Sequence, residues 1–305
     1  MYFFAIMNII HIWDQAGVAC TLAKYQRLQG HRSKVIMSRG FDKFGIYRFY
    51  KDIVDEVARE KFTSRSIEAC ESADIIHVHS YENILLQLRK KFGQSKKIIL
   101  QYHGSDIRGV NTVKSLTPKN LAKDLVLSSK KFALRMSGKL KSPEQMHSDA
   151  QKAANRVILS TPDLLPLVTK GIYLNNPVDI EHFTPDKFPS SAQREVLTIN
   201  TEAADTNLTL QYCKSHGVNI DIEVYDRTKN PLMFGDMPSF LKKYRVYVDI
   251  KYVNNMILES FSKTGLEALA CGLKVLNYQL KYHQGLPPEH NPTSVVARLM
   301  KIYSS

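Results

Sequence analysis

Six short runs rich in Ile, Val and Leu punctuate the first 175 residues, and their apolar residues are contiguous rather than alternating with polar ones. They are NIIHI (Asn8–Ile12), SKVIM (Ser33–Met37), DIIHVH (Asp74–His79), KKIILQYH (Lys96–His103), RVILS (Arg156–Ser160) and IYLN (Ile172–Asn175). A strand with one wet face shows period-two alternation. A continuous apolar run means that both faces are covered, as in a parallel sheet flanked by helices. Helical patterns lie between the runs, notably Val18–Gln29 closed by Gly30 and Glu82–Phe92 closed by Gly93, glycine being the residue that most easily ends a helix. The alternation predicts a doubly wound α/β domain over about Met7 to Leu174.

The passage Asn175–Gln193, NNPVDIEHFTPDKFPSSAQ, is rich in Pro, Asn, Asp and Ser, has no sustained period and reads as a linker. Strand signals then return as EVLTI, IDIEVY, RVYVDI and LKVLNY, and a last helix, Ser294–Tyr303, follows the PPEHNP turn. The expected organisation is a first domain over 1–176, a linker over 177–193, and a shorter α/β domain over 194–305 that includes the terminal helix. Two such sheets joined by one linker would face their carboxyl edges across a cleft, where helix N-termini converge and ligands bind.

Composition narrows the partners. The net charge is +13, from 42 Lys+Arg against 29 Asp+Glu, with cations concentrated between Arg89 and Lys152. Such an excess attracts anions. No zinc spacing or basic-aromatic string accompanies it, so nucleic acid is not the expected partner. Phosphorylated substrates, an acidic membrane leaflet, or only a solvated helix face are the readings that remain. The four cysteines are far apart and read as reduced thiols of a cytoplasmic protein. The apolar N-terminus lacks a basic leader region and a small-residue cleavage site, and reads as a buried first strand.

The segment ILESFSKTGLEALACGLKVL, Ile257–Leu276, is richest in chemistry. A helix opening at Thr264 or Gly265 would aim the amides of Ser262, Lys263, Thr264 and Gly265 at a diphosphate, with Lys263 adding positive field. Glu259 would reach sugar hydroxyls from the loop, and Glu267, in the first turn, a ribose diol. The same spacing, Thr264-Gly-Leu-Glu267, is also that of a capping box in which Glu267 only caps its own helix. His103 ends a strand at a sheet edge, where Asp106 would orient it or cap the chain. His77 and His79 alternate on another strand, with His79 nearer the edge. No His/Cys spacing points to a bound metal.

Taken in order, these blocks resemble the retaining glycosyltransferases of the GT-B fold, the large family-4 type. Glu259 to Glu267, running into Glu267-Ala-Leu-Ala-Cys-Gly272 and LKVL, resembles that family's Glu-x7-Glu signature. DQAGVACTLAKYQRLQGH resembles its first glycine loop, where Gly17 permits close approach to a ligand. ADIIHVHS, QYHGSDIRG, ILSTPDLL and LNNPVDIEHFTPD match further blocks, collinear from about Ile9 to Leu276. The resemblance implies an α/β fold of the GT-B kind, with two Rossmann-like domains facing across a cleft and a short C-terminal one. It also implies transfer of a sugar from a nucleotide-diphosphate sugar with no metal or other cofactor. His103 and Glu259 would be the catalytic contacts, Gly17, Ser262, Lys263, Thr264, Gly265 and Glu267 the donor contacts, and His79 and Asp106 secondary ones. With that resemblance, the basic stretch would suit a phosphorylated or lipid-linked acceptor at an acidic membrane surface, and a peripheral association with the cytoplasmic membrane face. Where the family carries an Arg and a Lys for the diphosphate, this chain has LTINTEAADTNLTL, which leaves Lys263, Lys251 or Arg227 to substitute. That departure keeps open a catalytically silent GT-B protein binding a nucleotide sugar or a partner subunit. A GT-B epimerase or phosphorylase is a further alternative.

Overall fold

The computed structural model of the chain describes residues 5–108, 142–186, 194–201, 204 and 206–305. Seven parallel strands form the first sheet: β1 (Asn8–Ile12), β2 (Arg32–Ser38), β3 (Val54–Val57), β4 (Ile75–His79), β5 (Lys97–Tyr102), β6 (Arg156–Leu159) and β7 (Gly171–Tyr173). Their order is β3-β2-β1-β4-β5-β6-β7. It reverses at β1 and β4, which pair in parallel with Ile9 opposite Ile75 and His11 opposite His77. Such a switch point opens a crevice at the carboxyl edge.

All six apolar runs form strands of this sheet. The edge strand β3, Val-Asp-Glu-Val, lacks the apolar signature because its two acids are exposed to solvent.

The second sheet contains β8 (Arg194–Asn200), β9 (Glu223–Asp226) and β10 (Tyr244–Val248). A hairpin of β11 (Tyr252–Val253) and β12 (Met256–Ile257) leaves the sheet after β10, and β13 (Lys274–Leu276) and β14 (Tyr282–Gln284) complete it in the order β14-β13-β10-β8-β9. Only β14 runs antiparallel to its neighbour. Asn254 and Asn255 turn the hairpin with φ of 51° and 63°, the left-handed pair that a two-residue turn requires and asparagine tolerates.

The terminal helix, Pro292–Ser304, is placed with the second domain by the sequence reading, but the structure packs it on the first sheet. Its buried face, Val295, Val296, Leu299, Met300 and Tyr303, shares one apolar cluster with Ile9, Val18, Leu22, Ile75, Ile99 and Ile158. The chain thus returns to the first half because that half offers the apolar surface the helix must cover.

The linker passage is tied down by Asp179, fully buried, which accepts from Lys24 Nζ at 2.8 and 2.9 Å and from Tyr50 Oη at 2.8 Å. These partners hold its carboxyl below the usual carboxylate range against the opposing effect of burial. A second apolar cluster runs through both halves, joining Ala19, Met37, Tyr50 and Phe183 to Leu197, Phe234, Leu266 and Val275.

Candidate functional site

Helix Lys263–Ala270 begins two residues earlier than the capping-box reading requires. Ser262 is its N-cap, with Oγ accepting from the Gly265 amide at 3.0 Å. Glu267 therefore sits in the second turn, where it does not cap the helix. It is buried, and its carboxylate lies 3.7 Å from Lys263 Nζ. Burial pushes its carboxyl up, while Lys263 and Arg227 pull it down.

Asp249, at the carboxyl end of β10, fills part of the expected diphosphate cradle. It accepts from the Ser262 amide at 2.8 Å and from Ser262 Oγ. Burial raises its carboxyl, against the pull of Lys251 and the two Ser262 bonds. Gly265 is what allows this approach: a Cβ there would lie 2.1 Å from Asp249 Oδ2. Ser262 and Gly265 are thus internally bonded, and neither arrangement takes the amides of Lys263 and Thr264. Glu259, in the turn before the helix, is exposed and takes part in no hydrogen bond or ion pair among the described residues.

The first helix, Val18–Leu28, repeats the device. Asp14 follows β1, is buried, and accepts from the amides of Gly17 at 2.9 Å and Ala19 at 2.6 Å. Gly17 has φ of 77°, and a Cβ there would meet the ring of Phe234 from the second half at 3.9 Å. That is ordinary van der Waals distance, and Ile46 Cγ2 lies nearer at 3.6 Å, so it is the positive φ that calls for glycine. Phe234 also donates its amide to the Phe44 carbonyl at 2.7 Å.

The three substitute cations behave differently. Lys263 Nζ donates to the Pro177 carbonyl at 2.6 Å; burial pushes its ammonium below the usual range, against Glu267, Asp179 and Asp14. Lys251, buried, donates to the Ile199 carbonyl at 3.0 Å and is lowered by burial against the pull of Asp249. Arg227 stacks at 3.8 Å on the ring of Phe44 and donates through Nη2 to the Leu232 carbonyl at 3.0 Å. Its Nε is buried without a hydrogen-bond partner, and Glu267 is the nearby charge that favours its cationic form. Tyr247 Oη, influenced by both Glu267 and Arg227, is likewise buried without a partner.

At the first sheet, His103 is bonded through both ring nitrogens. Nε2 meets His79 Nδ1 at 3.0 Å and Nδ1 meets Ser160 Oγ at 3.0 Å. Asp106 does not touch the imidazole. It accepts from the backbone amides of His103 and Gly104, at 2.8 and 2.7 Å, and from Ser80 Oγ. Its bonds go to amides that precede it, and not to the imidazole or to the chain that follows. His79 is fully buried and bonds His11 at 2.9 Å.

His11, a residue sequence reasoning passed over, completes a core group with His77 and His79, one nitrogen from each lying within 4.8 Å of the others. The spacing is one a transition metal could occupy. The signal was the H at matching places of β1 and β4, readable only once those strands are known to be neighbours. Among the described residues, no hydrogen bond or ion pair joins His103, His79 or Asp106 to the 257–276 segment.

Burial pushes His11 down to about 4, against the Gln26 hydrogen bond, and His103 to about 4, against Asp106. An unfolded histidine protonates near 6.5. Between pH 6.5 and 4 the unfolded chain therefore binds more protons, and stability falls with falling pH by up to about 1.4 kcal/mol per unit for each histidine. Asp14, raised by burial to about 6, contributes with the opposite sign between 6 and its unfolded value. Asp249 and Glu267, also raised by burial, act in the same sense as Asp14, but burial pushes His31, His77, His79, His182 and His290 down together with His11 and His103, leaving a net loss. Urea midpoints are expected to fall from pH 6.5 to 5, and a flat profile there would contradict the neutral buried histidines.

Of the basic stretch Arg89–Lys152, residues 109–141 lie outside the described residues. Several of the remaining cations serve the fold. Arg89 donates to the Ala153 carbonyl and Asn155, Lys96 to the Ala73 carbonyl, and Arg108 to Asp163 and Thr161. Among the described residues no helix is long and apolar enough to cross a membrane.

No family model matches the sequence, and no curated protein matches it. Solved structures do resemble the fold. An alpha-glucosyltransferase in complex with UDP and a 13-mer DNA aligns with a TM-score of 0.55 at 12% identity, over 98% of this chain and 91% of that one. Anabaena HepE in complex with UDP and glucose gives 0.55 at 10% identity, over 97% and 90%. Sucrose-phosphate synthase from Thermosynechococcus elongatus gives 0.50 at 10% identity, over 98% and 90%. The likeness is one of fold: the chain has the α/β architecture, with a large parallel sheet, of these GT-B-type glycosyltransferases.

Proposed function

We propose that the chain is a retaining glycosyltransferase that moves a sugar from a nucleotide-diphosphate sugar to an acceptor hydroxyl, with the donor held in a cleft between the two sheets and no metal required. The observation that carries this reading is an exposed Glu259, with no hydrogen bond or ion pair among the described residues, in the turn before helix Lys263–Ala270, which itself carries a buried Glu267. The fold is also shared with proteins whose structures hold UDP or UDP-glucose.

Glu259 holds sugar hydroxyls, and Glu267 takes the ribose diol as the incoming diphosphate draws Lys263 and Arg227 away from it. Arg227, with its unpartnered Nε, takes the place of the absent Arg/Lys pair on the diphosphate, aided by the amides of Lys263 and Thr264. Gly17, His103 and Asp106 shape the opposite wall, with His79 buried behind His103. The acceptor hydroxyl attacks from the leaving-group face, and its proton passes to a phosphate oxygen. The excess positive charge suits a phosphorylated or lipid-linked acceptor at the cytoplasmic membrane face.

A second reading, a silent protein that binds a nucleotide sugar, is favoured by the internal bonds already made by Lys263, Lys251, Asp14 and Asp249. Calorimetry with UDP followed by a donor-turnover assay separates the two. Arg227→Gln is expected to weaken UDP binding roughly tenfold or more, the loss of one charge-assisted phosphate contact worth about 1.5 to 3 kcal/mol. Equal affinities in the two proteins would remove Arg227 from the donor site.

A further inference from the structure

The core histidines belong to a larger set of hydrogen bonds that the proposed chemistry does not use. Gln101 Nε2 donates to Ser160 Oγ at 2.8 Å, and Ser160 Oγ lies 3.0 Å from His103 Nδ1. His103 Nε2 meets His79 Nδ1 at 3.0 Å, His79 Nε2 meets His11 Nδ1 at 2.9 Å, and His11 Nε2 meets Gln26 Oε1 at 2.9 Å. Gln26 Nε2 donates to Tyr303 Oη at 3.4 Å, which lies 2.7 Å from His77 Nδ1. Two atoms are left buried without a partner, His77 Nε2 and Gln101 Oε1. Their residues are neighbours, since the Gln101 carboxamide acts on the His77 imidazole against the dominant effect of burial.

The roles are forced in one direction. Gln26 Oε1 only accepts, so His11 Nε2 carries the proton and Nδ1 accepts. His79 must then donate through Nε2 and accept at Nδ1, and His103 must donate through Nε2 and accept at Nδ1 from the Ser160 hydroxyl. At the other end, Tyr303 Oη accepts from Gln26 and donates its hydrogen to His77 Nδ1. His77 is left with an Nε2–H donor and Gln101 with an Oε1 acceptor, the two orphans and a complementary pair. An isolated buried donor and acceptor would each cost free energy, whereas here one supplies what the other lacks.

We propose that these eight groups form one closed, unidirectional hydrogen-bond circuit, and that Tyr303 of the terminal helix is thereby a positioning residue for His103. The return of the chain's end to the first sheet then fixes a tautomer at the carboxyl edge of β5. His103 is held neutral with both nitrogens committed, a fixed wall of the site rather than a base. This last step rests on the reading of His103 as a site residue; the circuit itself does not.

Nitrogen-15 NMR of the full chain, labelled at histidine, tests it without donor or turnover. His11, His77, His79 and His103 are each expected as the Nε2–H tautomer. In Tyr303→Phe the ring opens at the Gln26 and His77 junctions. The alternative tautomer is then expected to rise at least tenfold at His77, with a detectable second population at His103, which Tyr303 does not touch. An Nδ1–H tautomer at any of the four in the unsubstituted protein would overturn the circuit, even if the variant fails to fold. So would His103 signals indifferent to Tyr303→Phe. One equivalent of zinc in the purified protein, its removal shifting the signals of His11, His77 and His79, would replace the circuit with a metal centre.

Discussion

Glu259→Ala is expected to cut donor turnover by roughly 10²- to 10³-fold while leaving the unfolding midpoint essentially unchanged. The side chain is exposed and contributes no hydrogen bond or ion pair among the described residues, so its removal falls among surface changes worth about 0.5 kcal/mol or less in stability. If it holds sugar hydroxyls as positive charge develops at the anomeric carbon, the interaction strengthens toward the transition state. Losing it then costs about 3 to 4 kcal/mol of barrier. A turnover assay beside a thermal melt reads both halves. A variant that keeps its activity would sink the assignment, and one that loses activity only through unfolding would move Glu259 into the structural framework.

Gly265→Ala should destabilise the protein by about 2 to 4 kcal/mol, the reverse of what a helix normally does. Replacing a helical glycine by alanine commonly gains about 1 kcal/mol. At this position the new Cβ would lie 2.1 Å from Asp249 Oδ2 and 2.4 Å from Cγ. The carboxylate would have to leave, giving up the Ser262 amide and hydroxyl bonds at the start of the helix. The second substitution in Asp249→Ala/Gly265→Ala should then cost far less than it does alone, since the two act through one contact. Additive losses in urea unfolding would show that Asp249 is not the group that requires the glycine.

What the sequence made legible follows from which interactions are local. Continuous apolar runs report burial on both faces of a strand, and six strands of the first sheet could be read from them. The edge strand β3 could not, because its acids face solvent. The terminal helix has a clear apolar face, but periodicity does not say which sheet that face will cover.

At the site, Glu259 and Glu267 were visible through spacing and family likeness. Thr264-Gly-Leu-Glu267 has capping-box spacing, yet Ser262 caps the helix because Asp249 grips its amide and hydroxyl, a contact across 13 residues that no local pattern carries. Nothing local in the sequence marks Asp14 as the buried carboxylate that accepts the first amides of the first helix. The histidine circuit draws on β1, β4, β5 and the terminal helix, and it becomes readable only when strand order is known.

These internal carboxylates bear on function. Asp14 and Asp249 occupy helix N-termini where an anionic ligand would otherwise sit, so the proposed donor site depends on the amides of Lys263 and Thr264 and on Arg227. Whether such a site turns a donor over is answered by proton NMR of the sugar released or transferred from UDP-glucose in the presence of EDTA. The expected result is turnover without metal, giving an initial product that keeps the donor's α-configuration and is lost in Glu259→Ala. Binding of UDP-glucose with no turnover, or an initial product of β-configuration, would contradict a metal-independent retaining transferase.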